Sequence, residues 1–347
     1  MELKERVEAF TELGTILRKS LSDHKEGVNS ELSLLISTLH LKNAWFIPEN
    51  VSSAISAIAN ELTAEKIVRW TDMYPGLKTE QKPFKVGVIM AGNIPLVGFH
   101  DFLCVLITGN IVLVKTSSKD SDLIVHLSEM LCSINPAFRN MIRFTEGTLS
   151  GFDAVIATGS NNTSRYFESY FGRYHSIIRK NRNSIAIVDG SESDLELKEL
   201  GSDIFLYFGL GCRNVSKIYL PYGYDLHKMI KNWDSFSGII DHSKYANNYD
   251  FSKAVYLVNK EPFLDTGYLL MKENKELSSP VAVLHYEYFN SMDSVMQTTD
   301  LMKDRIQCIV SVNSIPFGKA QAPNLWDYAD EIDTIEFILK INSSGIL

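Results

Sequence analysis

Apolar residues follow two rhythms along this chain. Over residues 1–80 they recur mostly at helical spacing, which predicts a run of helices. From residue 85 to residue 190, short continuous apolar runs alternate with helix-length segments. Lys85–Met90 (KVGVIM), Ile111–Lys115 (IVLVK), Met141–Thr145, Ala154–Thr158 and Ser184–Val188 (SIAIV) predict strands. Leu96–Ile107, Asp120–Ile134 and a segment from Asn161 to Phe171 predict helices, with Thr108-Gly109-Asn110 and Asn135-Pro136 as breaks. Strands alternating with helices imply parallel βαβ units covered on both faces. Ligands of such sheets sit beyond the carboxyl ends of the strands, which here are Ala91–Pro95, Lys115–Lys119 and Gly159–Asn162.

Beyond Cys212 the pattern changes. Val215–Leu220, Pro280–Leu284 and Arg305–Ser311 predict strands separated by helical and irregular stretches. The expected division is residues 1–204 as a helical segment with a cofactor domain, and 205–312 as a second α/β domain carrying the chemistry. Residues 313–347 are expected as a C-terminal tail, for oligomerisation or packing on the cofactor domain. The active-site cleft is expected at the boundary of the two domains.

Composition narrows the function classes. The 347 residues are 45% apolar, enough for a large core. A net charge of −8 without a Lys/Arg block argues against non-specific nucleic-acid binding. The most apolar stretch, 94–114, is interrupted by His100, Asp101 and Asn110, so no membrane span is expected. The charged start MELKERVEAF lacks a signal-peptide core. Cys104, Cys132, Cys212 and Cys308 are widely spaced, with no metal-ligand grouping and no disulfide pattern, as expected of a cytoplasmic protein.

Two segments carry candidate chemistry. Gly159-Ser160-Asn161-Asn162 follows a strand and opens a helix, where backbone N–H groups and the helix dipole attract an anion; an asparagine cap is the plainer alternative. No GxGxxG fingerprint stands there. In Phe208-Gly209-Leu210-Gly211-Cys212-Arg213-Asn214, a thiol sits in a Gly-rich polar turn, the setting of a nucleophile; the other three cysteines lie in apolar runs. His100, in an apolar helix, reads as a satisfied core histidine.

These segments occur in one order: VGVIMAGNIP, TGNIVLVKTSSKD, DAVIATGSNNTSRYF, NSIAIVDG and FGLGCRNVSKIYLP. Together with SSPVAVLHYEYF, DRIQCIVS and FGKAQAPNLWDYADEIDT, the chain resembles the aldehyde dehydrogenase superfamily. More narrowly, it resembles the acyl-CoA reductases of the LuxC fatty acid reductase type, over roughly residues 80–345. The resemblance implies a Rossmann-like cofactor domain plus a second α/β catalytic domain. It makes Cys212 the nucleophile and Asn93 the oxyanion donor. It places Lys115 on the adenosine ribose, in a loop with Ser117, Ser118 and Lys119, and Gly159 and Ser160 near the cofactor. Glu276, four residues before Pro280, matches a glutamate on the nicotinamide ribose.

Two departures from the superfamily pattern sharpen this expectation. Arg179-Lys180-Asn181-Arg182-Asn183 stands where hydrolysing members keep a water-activating glutamate. Ser118, followed by Lys119, stands where NAD-preferring members often have an acid, which favours NADP. The implied activity is NADPH-dependent reduction of a fatty acyl thioester, acyl-CoA or acyl-protein, to the aldehyde through an acyl-cysteine. A homo-oligomer or partner enzymes of an acyl pathway would fit. Two alternatives stay open at this point: a cysteine-dependent acyltransferase or thioesterase without a redox step, and a non-catalytic acyl-CoA-binding subunit.

Overall fold

The computed structural model describes residues 1–27, 30–79, 82–159 and 161–343. The chain divides into two compact units, Met1–Asn181 with Asn324–Leu347, and Arg182–Pro323.

The first unit opens with helices α1 (Leu3–Lys25), α2 (Glu31–Thr38), α3 (Pro48–Glu61) and α4 (Ala64–Asp72), so the helical reading of the first 80 residues holds. There follow β1 (Lys85–Ile89), α5 (Phe99–Ile107), β2 (Ile111–Lys115), α6 (Asp122–Ile134), β3 (Ile142–Phe144), β4 (Ala154–Thr158), α7 (Asn161–Phe171) and β5 (His175–Arg179). The five strands form one sheet in the order β3-β2-β1-β4-β5, and every pairing is parallel. This doubly wound order places a topological switch point between β1 and β4.

Strand alternation builds the two faces. Val86, Val88, Val112, Val114 and Ile156 point into the core shared with the N-terminal helices, α5 and α6. Leu113, Val155 and Ala157 point the other way, against Leu149 and Phe171. Gly87 lies on that second face because a Cβ there would come within 2.5 Å of Leu149. At the far end of the sequence, α12 (Thr334–Ser343) returns to the first core through Ile335, Ile338 and Ile341.

The second unit contains β6 (Asn183–Ile187), α8 (Asp194–Phe205), β7 (Val215–Pro221), α9 (Leu226–Lys231), α10 (Ser243–Val258), β8 (Leu264–Asp265), β9 (Leu270–Glu273), β10 (Val283–Phe289), α11 (Met292–Leu301) and β11 (Ile306–Val310). Its sheet runs β11-β6-β7-β10-β9-β8, parallel except for the β8–β9 pair. The strand SIAIV, expected in the first domain, pairs with β7 and β11 here, so the second unit starts at Arg182 and not at residue 205.

Local departures from the sequence reading have identifiable causes. The helix expected from Leu96 begins at Phe99, because Leu96 adopts φ 57°. The helix expected from Asp120 begins at Asp122, because Asp120 closes a turn with Ser117. The strand expected at 280–284 begins at Val283, after Ala282 with φ 64°. Strand β5 went unread: His175, Ser176 and Arg179 dilute its apolar signal.

Candidate active site

At the carboxyl end of the first sheet, the loops after β1 and β2 are locked to each other. The loop after β1 carries Asn93, exposed, then Pro95 and left-handed Leu96. The Leu96 amide donates to Asp120 Oδ2 at 2.9 Å. Burial raises the Asp120 carboxyl to about 7, against the lowering effect of that N–H, and its Oδ1 is buried without a hydrogen-bond partner among the described residues. The Asp120 amide closes the turn on the Ser117 carbonyl at 3.1 Å, and the Lys119 amide donates to Ser117 Oγ at 3.2 Å. The two loops also touch: a Cβ on Gly92 would lie 2.4 Å from Ser117 Oγ.

The remaining first-unit candidates sit at the same strand ends. Lys115 closes β2, and its Nζ donates to the Glu146 and Gly147 carbonyls at 3.2 and 2.7 Å. Ser118 and Lys119 face solvent. Gly159 follows the last residue of β4, just before α7, and a Cβ there would meet Phe167 and Thr163 at 2.9 and 3.0 Å. Ser160 lies outside the described residues.

The segment that departs from the superfamily glutamate is structural at its start. Arg179 is buried and grips Asp101 with two bonds, Nε–Oδ2 at 3.2 Å and Nη2–Oδ1 at 2.7 Å, and also donates to Thr334 and the Ala329 carbonyl. Burial alone would raise the Asp101 carboxyl, yet the guanidinium holds it below its ordinary value. Lys180 pairs with Glu168 at 2.7 Å. His100, read as a satisfied core histidine, bonds the Leu325 carbonyl through Nε2 at 2.8 Å.

In the second unit, the Cys212 turn is built on the end of α8. A capping box of Ser193 and Glu196 starts that helix. After it, Tyr207, Phe208 and Gly209 have φ of 55°, 58° and 73°, which bends the chain sharply. The Phe208 ring is fixed against His242, centroids 4.3 Å apart. Asn214, buried, clamps the turn: Oδ1 accepts the Gly211 N–H at 2.8 Å, while Nδ2 reaches the Asp203, Ile204 and Leu206 carbonyls at 3.1, 3.4 and 2.8 Å. These carbonyls are ones a helix end leaves without intrahelical partners. The Cys212 carbonyl is held by Ser184 Oγ at 2.9 Å, from β6.

Cys212 is half-buried, and none of the four cysteines forms a disulfide. Burial pushes up the thiols of Cys104, Cys132 and Cys308, so none of these three is poised as a thiolate. For Cys308, nearby Arg213 and the Ser184 hydroxyl oppose the rise.

Glu276 lies in the same unit, exposed, between β9 and β10. Ser216, on the strand that Cys212 leads into, donates to the Leu277 carbonyl at 2.7 Å, so that strand is bonded to the loop bearing Glu276. Sequence reasoning singled out Cys212 and Glu276 but not the side chains that hold them. Asp120, Asn214, Ser184 and Lys217 lie inside the ordered segments, but nothing in the residues around them marks them as supports.

Among the described residues no group of His, Cys, Asp and Glu could hold a metal ion, and no helix is long and apolar enough to cross a membrane. The chain is similar to solved aldehyde dehydrogenase structures. Aldehyde dehydrogenase 21 from Physcomitrella patens, solved with succinate, matches 99% of this chain and 85% of that chain, at a TM-score of 0.65 and 11% identity. An NADP-dependent enzyme of E. coli matches 89% and 73%, at 0.63 and 13% identity. The fold is therefore aldehyde dehydrogenase-like. A long-chain acyl-protein thioester reductase of Aliivibrio fischeri is 24% identical over 209 residues, which take in 54% of this chain and 42% of that relative. The family model for acyl-CoA reductase (LuxC) matches residues 36–229, more than half the chain, and spans both the loops of the first sheet and the Cys212 turn. The chain belongs to the acyl-CoA reductase (LuxC) family.

Proposed function

We propose that this chain reduces a fatty acyl thioester, acyl-CoA or acyl-protein, to the aldehyde, with NADPH as reductant and Cys212 as nucleophile. One observation carries the reading: within a chain of this family, Cys212 sits in a turn that Asn214 and Ser184 hold from beneath, while burial disfavours ionisation of the other three thiols.

The Cys212 thiolate attacks the thioester carbonyl carbon. A bond forms between Cys212 Sγ and that carbon, the carbon–sulfur bond to the carrier breaks, and the carrier leaves as a thiolate that takes a proton from solvent. Asn93 is the side-chain amide this reading assigns to the oxyanion. The Gly211 and Asn214 amides are engaged inside the turn and serve its shape instead. When bound, NADPH supplies the hydride that brings the acyl carbon to the aldehyde level. Cys212 Sγ is then expelled as the carbonyl re-forms, and the thiolate is regenerated. No glutamate stands at 179–183 to activate water, so the acyl-enzyme is spared hydrolysis.

The residues fit a dinucleotide at the switch point. Glycines at 92 and 159 keep side chains out of the loops after β1 and β4. Lys115 would hold the adenosine ribose, and Gly159 with the start of α7 the phosphates. Ser117, Ser118 and Lys119 would face a 2′-phosphate, with Lys119 as the cation. Asp120, the acid next to Lys119 in the sequence, is buried and turned to Leu96. Glu276 is assigned to the nicotinamide ribose.

Mass spectrometry after mixing the chain with acyl-CoA tests the nucleophile, with absorbance at 340 nm following NADPH. The expected result is an adduct on Cys212 that is absent from Cys212→Ser, and NADPH loss with aldehyde formation. An adduct of unchanged yield on the Ser variant, or one on Cys104, Cys132 or Cys308, overturns the assignment. CoA release without NADPH loss replaces the reductase by a transferase or thioesterase. Ser118→Glu should shift preference toward NADH about tenfold in kcat/KM, since nearby like charges are partly screened at a surface.

A further inference from the structure

Beneath the exposed Glu276 lies a buried polar cluster that none of the steps above uses. Three side chains from β7 and β10 donate to three successive carbonyls of the loop. Lys217 Nζ reaches the Lys275 carbonyl at 2.7 Å, His285 Nδ1 the Glu276 carbonyl at 3.0 Å, and Ser216 Oγ the Leu277 carbonyl at 2.7 Å. Lys217 and His285 are register partners on adjacent strands, so they rise side by side from one face of the sheet. The Lys217 side chain is 0% exposed.

We propose that Ser216, Lys217 and His285 are positioning residues that set the backbone at Glu276 and so aim its Cβ, presenting the carboxylate, which lies 3.6 Å from Arg305 Nη2, to the nicotinamide ribose. This rests on the assignment of Glu276 made above. The peptide planes on either side of the Glu276 Cα end in the carbonyls of Lys275 and Glu276. Fixing both planes fixes φ and ψ at Glu276, because each plane is rigid, and so fixes where its Cβ points. The third bond, to the Leu277 carbonyl, anchors the loop where Leu277 enters the core.

The cost of the arrangement points the same way. A buried ammonium is expensive even when paired, and apolar residues would often serve stability as well. A lysine nevertheless stands at 217, with Glu287 Oε2 at 2.6 Å and the Tyr219 ring at 4.7 Å balancing its charge. What an apolar residue could not supply is the donor to Lys275. His285 is kept neutral by burial, with Lys217 and Lys272 adding to the effect, although the Glu276 carbonyl pulls the other way. Its bond to that carbonyl requires the proton on Nδ1. Asn274 Oδ1 accepts the Glu276 amide at 3.0 Å, which ties the loop from its other side.

The test measures NADPH dissociation constants on the full chain by fluorescence, with thermal midpoints to verify folding. Glu276→Gln should weaken binding about tenfold, the equivalent of roughly 1.4 kcal/mol. His285→Leu removes the donor and should weaken binding severalfold, and Ser216→Ala less. His285→Asn puts an amide nitrogen near the place of Nδ1 and should recover most of the loss. In the Glu276→Gln background, His285→Leu should have no further effect, since its action runs through that carboxylate. Should His285→Leu misfold, the same cycle is run with Ser216→Ala. Parent-like binding by both variants, or equal losses in the two backgrounds, would overturn the proposal while leaving the Glu276 assignment standing. Parent-like binding by Glu276→Gln would remove that assignment and this proposal together, with adduct formation on Cys212 unaffected.

Discussion

Asp120 and Asn214, both buried, clamp the loops that carry Asn93 and Cys212, but by opposite chemistry. After β1 the chain offers an N–H, at Leu96, and Asp120 meets it with a carboxylate that keeps one oxygen unpartnered among the described residues. After α8 the chain offers orphan carbonyls as well as the Gly211 N–H, and Asn214 meets both with a neutral amide. An ionised acid can only accept, and a protonated one donates a single O–H; an anchor that must accept one N–H and donate to several carbonyls at any pH is served by an amide. The consequence is that the first anchor titrates and the second does not. The folded Asp120 carboxyl is raised by burial to about 7 from an ordinary 3.8. Between those values the folded state holds a proton that the unfolded state releases. Its contribution to stability is therefore fully present below about pH 4 and is lost as pH rises toward 7.

The comparison breaks most sharply at Asn214. Asn214→Ala leaves a helix end and the Gly211 amide without their partner, and should cost about 3 kcal/mol in urea unfolding. The loss should be nearly the same at pH 5 and pH 8. A loss below about 1 kcal/mol would mean that water replaces the amide and that the turn holds itself.

Asp120→Asn should change the pH profile instead of the mean stability. Relative to the parent, the variant should gain about 2 kcal/mol as pH rises from 5 to 8, a fraction of the full shift at about 1.4 kcal/mol per pKa unit. Asp203, raised by burial to about 6 despite accepting the Gly318 and Ala320 amides, titrates in the same window, so only the difference between the two proteins isolates Asp120. Parallel profiles would show that Asp120 is no more buried in effect than a surface acid.

Gly92→Ala drives a methyl toward Ser117 Oγ and should cost about 1.5 kcal/mol, in the range of overpacking. Ser117→Gly in the same chain should return most of it. Two additive losses would show that the loops yield independently. The smallest effect is expected from Ser184→Ala, about 1 kcal/mol for one hydrogen bond, with slower adduct formation at Cys212 and no change in the residue modified. A loss as large as that of Asn214→Ala would mean that the Cys212 turn hangs from β6 instead of from the end of α8.

What was legible in the sequence was local. KVGVIM, IVLVK and the strand before Gly159 read as strands because parallel strands buried on both faces are continuous apolar runs. Cys212 stood out because two glycines precede it in a polar turn, and the ordered motifs pointed to the family that the match over residues 36–229 bears out. β5 was not legible, since three of its five residues, His175, Ser176 and Arg179, are polar, and Arg179 is spent on Asp101, 78 positions away. Nor was the start of the second unit at Arg182, which depends on β6 pairing with β7 and β11. The sequence by itself determined the helical N-terminal stretch, the alternating α/β class, the candidate nucleophile and the loops at the strand ends. Only the tertiary structure decided what holds those loops. Asp120 reaches Leu96 across 24 positions and Lys217 reaches Glu287 across 70. A buried donor and its acceptor meet through sheet register and core packing, which no local window contains.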